Sequence, residues 1–128
     1  MKWILKISVI LLMLQIFQGC DSEEKTNTIT REQLEQKNQE IVNYINSFKC
    51  SETIGCSYIA FGSKPCGGPR IYLVFPNSID LKLLKDMVTK YNEIDRLYNI
   101  ESGAISDCAV VVPPNEIKCV NGICTIVN

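Results

Sequence analysis

The stretch EIKCVNGICTIV, residues 116–127, decides the fold at the C-terminal end of this chain. Two apolar runs rich in β-branched residues flank Asn121-Gly122. This dipeptide is the strongest short signal for a two-residue hairpin turn, because both positions of the turn need a positive φ. The turn fixes the register and places Val120 opposite Ile123. The segment therefore predicts two antiparallel strands joined by a tight turn.

The same register places Cys119 opposite Cys124, in a non-hydrogen-bonded pair with Cα atoms about 4.5 Å apart. A cross-strand disulfide can be accommodated at that distance. In the alternative arrangement both cysteines lie on one face of the hairpin, and each bonds separately to another cysteine. The remaining candidates are Cys50, Cys56, Cys66 and Cys108. Six cysteines allow 15 connectivities, and their spacing does not choose among them.

The part of the chain that precedes the hairpin contains one predicted helix and one predicted strand. Residues 109–112 form an apolar run that Pro113-Pro114 ends, which predicts a strand. A helix is predicted to open near Asn77 or Ser78 and to end between Tyr98 and Gly103, with Asp80 in its first turn. Its apolar face consists of Leu84, Met87, Val88, Tyr91, Ile94 and Tyr98.

The preceding part of the chain also contains a predicted helix, followed by two predicted strands. Thr30 and Gln33 form a capping-box pattern, and the apolar stripe that follows predicts a helix over residues 31–48. The apolar runs 58–61 and 71–75 predict two strands, and the Gly/Pro-rich segment between them predicts a loop. We therefore expect an α+β fold, in which two helices pack on a short, mainly antiparallel sheet that disulfides staple.

Residues 1–19 have the pattern of a bacterial lipoprotein signal. A basic start precedes an apolar stretch too short to span a bilayer, and Gly19-Cys20 follows. We expect Cys20 to become the lipidated N-terminus, residues 20–29 to form a flexible tether, and residues 30–128 to form one domain. The alternatives are a non-lipidated signal or a short membrane anchor. Lipidation of Cys20 leaves six cysteines, an even number that suits three disulfides in an oxidising compartment.

The first residues of the predicted tether indicate which bacterial membrane carries the protein. Ser22-Glu23-Glu24 resembles the acidic export tag of some surface-displayed lipoproteins, whereas Asp21 resembles the inner-membrane retention residue of others. We expect the outer membrane, with the domain facing the periplasm or the cell surface.

Composition removes several function classes. The chain has no histidine, which excludes Ser-His-Asp and Cys-His nucleophiles and His-ligated metal centres. Loss of Lys2 and Lys6 with the signal takes the formal net charge from −1 to −3, so nothing steers the protein toward nucleic acid. The sequence contains no C-x2-C pair of the kind that commonly binds zinc. A hydrolase that uses Glu101 and Asp107 is disfavoured, because no paired motif frames them. We expect a non-enzymatic protein without a metal or cofactor.

Residues 62–70, GSKPCGGPR, form the most unusual local sequence. In the structural interpretation, this segment is a tight crossover packed against the disulfide core. The functional interpretation is a rigid recognition loop of the kind that protease inhibitors use, with Arg70-Ile71 as the bait bond. In that case Lys64 and Arg70 should be exposed and Cys66 buried. Lys64-Pro65 is a poor bait, because proteases rarely accept proline after the scissile bond.

The same loop carries a resemblance. The run CSYIAFGSKPCGGP (56–69), Tyr72-Leu73, Ser106-Asp107-Cys108 and Cys119-x4-Cys124 resemble a family of small six-cysteine bacterial envelope proteins, with G-x-K-P-C-G-G-P as the most specific motif. The resemblance covers roughly Cys50 to Cys124. It implies secretion and disulfides, and it brings no catalytic residue because the family has no established activity.

These observations favour a lipid-anchored envelope module that binds a partner or serves a structural role. The N-terminal lipid is expected to attach the protein to the membrane, and its other partner is an unknown protein or glycan. The alternative is an inhibitor of an extracellular protease or other hydrolase that acts through residues 62–71.

Overall fold

The computed structural model describes residues 28–127, in two helices and four strands. The predicted signal peptide, Cys20 and most of the predicted tether lie outside the described residues. The strands form two separate two-stranded antiparallel sheets rather than one sheet. The predicted α+β class, stapled by disulfides, is confirmed.

The first helix, α1, spans Arg31–Asn46. The Thr30 side chain accepts a hydrogen bond from the Gln33 N–H at 3.2 Å, and the Gln33 side chain accepts one from the Thr30 N–H at 2.9 Å, so the predicted capping box is present. The helix ends two residues before the predicted limit. Ser47 is its C-cap, and the Ser47 hydroxyl donates to the Tyr44 carbonyl oxygen at 2.7 Å.

The first sheet pairs β1 (Cys56–Phe61) with β2 (Ile71–Pro76). Both strands extend beyond their predicted limits, β1 by two residues at its start and β2 by one at its end. The register pairs Cys56 with Pro76 and Phe61 with Ile71, so the loop of residues 62–70 closes the hairpin.

The second helix, α2, spans Leu81–Ser102 and begins later than the sequence predicts. Residues 77–79 form a turn instead, in which the Ile79 N–H donates to the Pro76 carbonyl at 3.1 Å. Asp80 is the N-cap rather than a first-turn residue, and its carboxylate accepts from the N–H groups of Lys82 and Leu83. Gly103 ends the helix in the left-handed conformation, as glycine commonly does.

The predicted C-terminal hairpin is confirmed with its register. Strand β3 (Glu116–Val120) pairs with β4 (Ile123–Val127), and Cys119 lies opposite Cys124. The two turn residues have positive φ, 52° at Asn121 and 78° at Gly122.

The predicted strand over residues 109–112 is absent, and no strand occurs between α2 and β3 in the described chain. Both backbone polar groups of Ala109 are held by side chains. Its N–H donates to Asp107 Oδ1 at 3.1 Å, and its carbonyl accepts from Lys64 Nζ at 2.7 Å. Cys108 turns the chain with φ +54°, and prolines 113 and 114 offer no N–H for a ladder.

All six downstream cysteines are oxidised, as predicted. The three disulfides are Cys50–Cys119, Cys56–Cys124 and Cys66–Cys108. Cys119 and Cys124 therefore bond separately to other cysteines, and a cross-strand bond across the hairpin is not formed. These two bonds attach β3 and β4 to the region around β1, and the third attaches the loop of residues 62–70 to the segment after α2.

The core lies between both helices and the first sheet. Its buried members are Ile41, Ile45, Phe61, Phe75, Ile79, Leu84 and Val88. Phe61 stacks on Tyr91 of α2 with ring centroids 4.2 Å apart, which fixes the sheet against the helix. None of the described helices has the length and apolar content needed to cross a membrane.

Candidate functional site

The loop of residues 62–70, hereafter the clamped loop, is ordered by its own backbone hydrogen bonds. The Arg70 N–H donates to the Phe61 carbonyl at 3.0 Å and closes the base of the loop. At the tip the Lys64 N–H donates to the Gly68 carbonyl, and the Gly67 N–H donates to the Lys64 carbonyl, both at 2.9 Å. The tip, Pro65 to Gly68, is exposed.

Three polar residues of α2 hold the base of the clamped loop. Asn92, Asp95 and Asn99 occupy positions i, i+3 and i+7, which share one helix face. The Gly62 N–H donates to Asn92 Oδ1 at 2.7 Å, and the Ser63 N–H donates to Asp95 Oδ2 at 2.7 Å. Asn99 Nδ2 donates to the Ser63 carbonyl at 2.7 Å. The helix therefore replaces the ladder partners that the loop backbone lacks.

Arg70 completes this polar cluster from the other end of the loop. Its Nε donates to Asp95 Oδ2 at 2.7 Å, and its Nη2 donates to Asp95 Oδ1 at 3.1 Å and to Asn99 Oδ1 at 2.7 Å. The side chain of Asp95 is only 4% exposed, whereas that of Arg70 is 43% exposed. The hydrogen bond to Asp95 raises the pKa of Arg70 above its ordinary value, although desolvation acts in the opposite direction.

The polar cluster is fully satisfied. Every buried side-chain nitrogen and oxygen among residues 28–127 has a hydrogen-bond partner. Satisfied polar networks in a low-dielectric interior fix a single geometry, since any displacement leaves a buried group unpaired. The clamped loop is thus a preorganised element.

Lys64 is the second cation of the clamped loop. Its Nζ lies 2.9 Å from Asp107 Oδ1 and 2.7 Å from the carbonyl oxygen of Ala109, and its side chain is only 12% exposed. The pKa of the Asp107 carboxyl is lowered mainly by the hydrogen bond from Lys64 and, to a smaller extent, by the one from the Ala109 N–H. Lys64 therefore joins the loop to the segment after α2, parallel to the Cys66–Cys108 disulfide.

A groove of about 520 Å³ lies beside the tip. Pro65 and Gly67 form one wall, and Arg96, Ile100 and Ala104 contribute the other. Ile100 is 65% exposed although it belongs to the helix that packs the core. Arg96 is neutralised by Glu93, at 2.7 Å between Nη2 and Oε1.

The sequence-predicted site residues have clear positions. The recognition hypothesis requires Lys64 and Arg70 to be exposed and Cys66 to be buried. Arg70 is exposed, but the Lys64 side chain is mostly covered and Cys66 is exposed. Arg70 is paired internally, and Ile71 is exposed at the start of β2. Internal pairing of both cations is what the crossover hypothesis implies.

Glu101 and Asp107, the acidic residues considered for hydrolysis, have separate partners. Glu101 accepts a hydrogen bond from the Ile29 N–H at 3.4 Å, and Asp107 binds Lys64.

Sequence reasoning missed the polar cluster. The apolar face predicted for this helix does not include Asn92, Asp95 or Asn99, yet Asp95 and Asn99 are buried. The available signal was their common face, together with Arg70 at the end of a Gly/Pro-rich loop that needs side-chain partners for its backbone.

Three sulfur atoms come close together near the second sheet. The Sγ atoms of Cys50, Cys56 and Cys124 lie within 4.8 Å of one another, a grouping that could hold a metal as free thiolates. All three cysteines are in disulfides, so they offer no thiolate in this state.

Comparisons of the chain with protein-family models, curated proteins and solved structures found no match.

Proposed function

We propose that this protein is a non-enzymatic, lipid-anchored binding module of the bacterial cell envelope, of the small six-cysteine kind that it resembles. The N-terminal pattern ending at Cys20 supports the anchor. Three disulfides within residues 50–124 support an oxidising compartment, where such bonds form and persist.

The observation that carries the binding proposal is the contrast within the clamped loop. Its base is fixed by hydrogen bonds to the buried residues Asp95 and Asn99, while the tip from Pro65 to Gly68 is exposed. A loop that is already ordered loses little conformational entropy when a partner binds. Lys64 and Arg70 serve as scaffold residues in this proposal, and the contact residues are those of the tip and the adjoining groove.

The charges around the groove indicate the chemistry of the partner. Both cations that line it are paired, Lys64 with Asp107 and Arg96 with Glu93. An anionic polymer finds no unpaired positive charge there. The exposed Ile100 and Pro65 offer apolar contacts instead, so we propose an uncharged polypeptide segment as the occupant.

The inhibitor alternative is weakened in its Arg70-Ile71 form. To enter a protease pocket, the Arg70 side chain has to leave Asp95 and Asn99, which uncovers a buried carboxylate. The Arg70 N–H is also engaged with the Phe61 carbonyl, and Ile71 is paired with Phe61 in the sheet.

Site-specific photocrosslinking in cells tests the binding proposal. Benzoylphenylalanine in place of Ile100 should give a discrete protein adduct, because that side chain lines the groove. The matched control is Leu83, an exposed residue near the other end of α2 that does not line the groove. Absence of an adduct at position 100, or equal adducts at both positions, contradicts the proposal.

Labelled palmitate tests the anchor separately. The wild-type protein should incorporate the label, and Cys20→Ala should abolish incorporation and release the protein from membranes or leave it unprocessed. An unlabelled wild-type protein contradicts lipidation while leaving the binding proposal intact.

A further inference from the structure

The Cys66–Cys108 disulfide differs from the other two in its access to solvent. Both of its residues are exposed. Each of the other bonds has one buried member, Cys50 in one and Cys124 in the other. Thiol–disulfide exchange requires a thiolate to reach a sulfur atom, so exposure separates an exchangeable bond from inert ones.

Ser106 distinguishes the two sulfur atoms of this bond. Its hydroxyl donates a hydrogen bond to Cys66 Sγ at 3.3 Å. The Ser106 carbonyl oxygen lies at a similar distance from both sulfurs, 3.9 Å from Cys66 Sγ and 3.7 Å from Cys108 Sγ, and favours neither. A donor aimed at one sulfur stabilises negative charge there, which makes Cys66 the better leaving thiolate.

The backbone at Cys108 provides a further asymmetry. Its φ is +54°, a left-handed conformation that L-residues other than glycine adopt at an energetic cost. The disulfide is one of the constraints that hold Cys108 in this conformation. Opening the bond lets the backbone relax.

We propose that Cys66–Cys108 is a site of thiol–disulfide exchange with an exposed protein dithiol of the thioredoxin class, and that the attack occurs at Cys108. The partner thiolate forms a bond to Cys108 Sγ, the Cys66–Cys108 bond breaks, and Cys66 leaves as a thiolate that Ser106 stabilises. The second thiol of the partner, as thiolate, then attacks the partner sulfur of the mixed disulfide and releases the Cys108 thiolate. Both thiolates take protons from water, and the partner dithiol is oxidised to a disulfide by two electrons.

The rest of the molecule tolerates this opening. The base of the clamped loop is held by Asp95, Asn99 and Asn92 without any contribution from sulfur. The change is therefore confined to the tip and to residues 104–115. The site does not depend on the lipid anchor or on occupation of the groove.

Graded reduction of the oxidised protein tests the order of opening. The native protein is treated with increasing dithiothreitol, quenched in acid, alkylated, and mapped by peptide mass spectrometry. Cys66 and Cys108 should be alkylated at concentrations at which the other four cysteines remain protected. Earlier or simultaneous alkylation of the Cys50–Cys119 or Cys56–Cys124 pair overturns the proposal.

Glutathione, a monothiol, tests the direction of attack. The acid-quenched mixed disulfide should be found mainly on Cys108. Ser106→Ala should slow exchange about fivefold, the factor expected for the loss of one hydrogen bond of about 1 kcal/mol, and should shift adducts toward Cys66. The control is Ser102→Ala, which removes an exposed hydroxyl bonded to the Tyr98 carbonyl. Adducts mainly on Cys66, or equal rates for Ser106→Ala and wild type, overturn the assignment of Cys108.

Discussion

Arg70 and Asp95 form a bidentate ion pair that joins the end of the clamped loop to the middle of α2. Arg70 Nε lies 2.7 Å from Asp95 Oδ2, and Arg70 Nη2 lies 3.1 Å from Asp95 Oδ1. The same carboxylate accepts the N–H of Ser63 at the start of the loop. One buried side chain therefore holds both ends of the loop. This arrangement explains how a segment with two prolines and three glycines is ordered without a ladder partner of its own.

We predict that Asp95→Asn lowers the free energy of unfolding by about 2 kcal/mol. The amide has one oxygen in place of two, and its NH2 group faces the Arg70 guanidinium or the Ser63 N–H. The loss stays below that of a fully buried pair, because Arg70 is half-exposed and water can solvate it. Urea denaturation of the oxidised protein measures the difference.

The control for this substitution is Asp86→Asn, which removes an exposed ion pair with Lys82 on the same helix. Its effect should stay within about 0.5 kcal/mol. Equal losses for the two variants would show that Asp95 does no more than a surface carboxylate.

Gly62→Ala should destabilise the protein more than Gly67→Ala. Both glycines have positive φ, 78° and 93°, so an alanine is strained at either position by roughly 1–2 kcal/mol. A Cβ at Gly62 also lies 2.8 Å from Arg70 Cγ, whereas one at Gly67 meets no atom within 4 Å. Thermal unfolding of both variants checks the order. A reversed order contradicts the close packing of Arg70 on the loop base.

Local signals were sufficient to predict the helices and the C-terminal hairpin. The capping box at Thr30 and the Asn121-Gly122 turn depend on neighbouring residues alone, and both are confirmed. The register of the C-terminal hairpin followed from its turn. The helix boundaries were less exact, because Asp80 can serve as an N-cap or as a first-turn residue and only the backbone geometry distinguishes the two roles.

The tertiary contacts were not predictable from the same signals. Asp95 is polar and occurs in a helix with many charged residues, so its burial depends on Arg70, which is 25 residues away in the chain. Residues 109–112 have strong β propensity but pair with no strand, and Lys64 and Asp107 hold the backbone of Ala109 instead. The disulfide pairing likewise depends on how the two sheets approach each other.

We predict that Cys66→Ser/Cys108→Ser keeps the native fold and loses at most about 4 kcal/mol, the chain-entropy limit for its 42-residue separation. The polar cluster remains to hold the loop base. Amide NMR shifts should change only near the loop tip and residues 104–115. The matched pair, Cys50→Ser/Cys119→Ser, should lose more, because it also leaves a buried hydroxyl at position 50. Shift changes throughout the core in the first variant would contradict a local role.

The carboxyl of Asp107 should titrate below its ordinary pKa of 3.8 in the folded protein. Lys64 and the Ala109 N–H favour the charged form, so the folded-state pKa is lower than the unfolded one. Such a group stabilises the fold above pH 3.8, and this contribution is lost as the pH falls through the folded-state pKa. Carbonyl-detected NMR of the side chain gives the midpoint directly.

Lys64→Met should raise the pKa of Asp107 toward 3.8 without restoring it fully, because the hydrogen bond from Ala109 remains. The stability difference between wild type and Lys64→Met should also shrink as the pH falls below the midpoint, since protonated Asp107 no longer attracts the ammonium group. Lys82→Met is the control: it removes an exposed ion pair with Asp86 and should leave the Asp107 midpoint unchanged. A wild-type midpoint at or above 3.8, or one that Lys64→Met does not move, would show that Lys64 is not bound to Asp107 in solution.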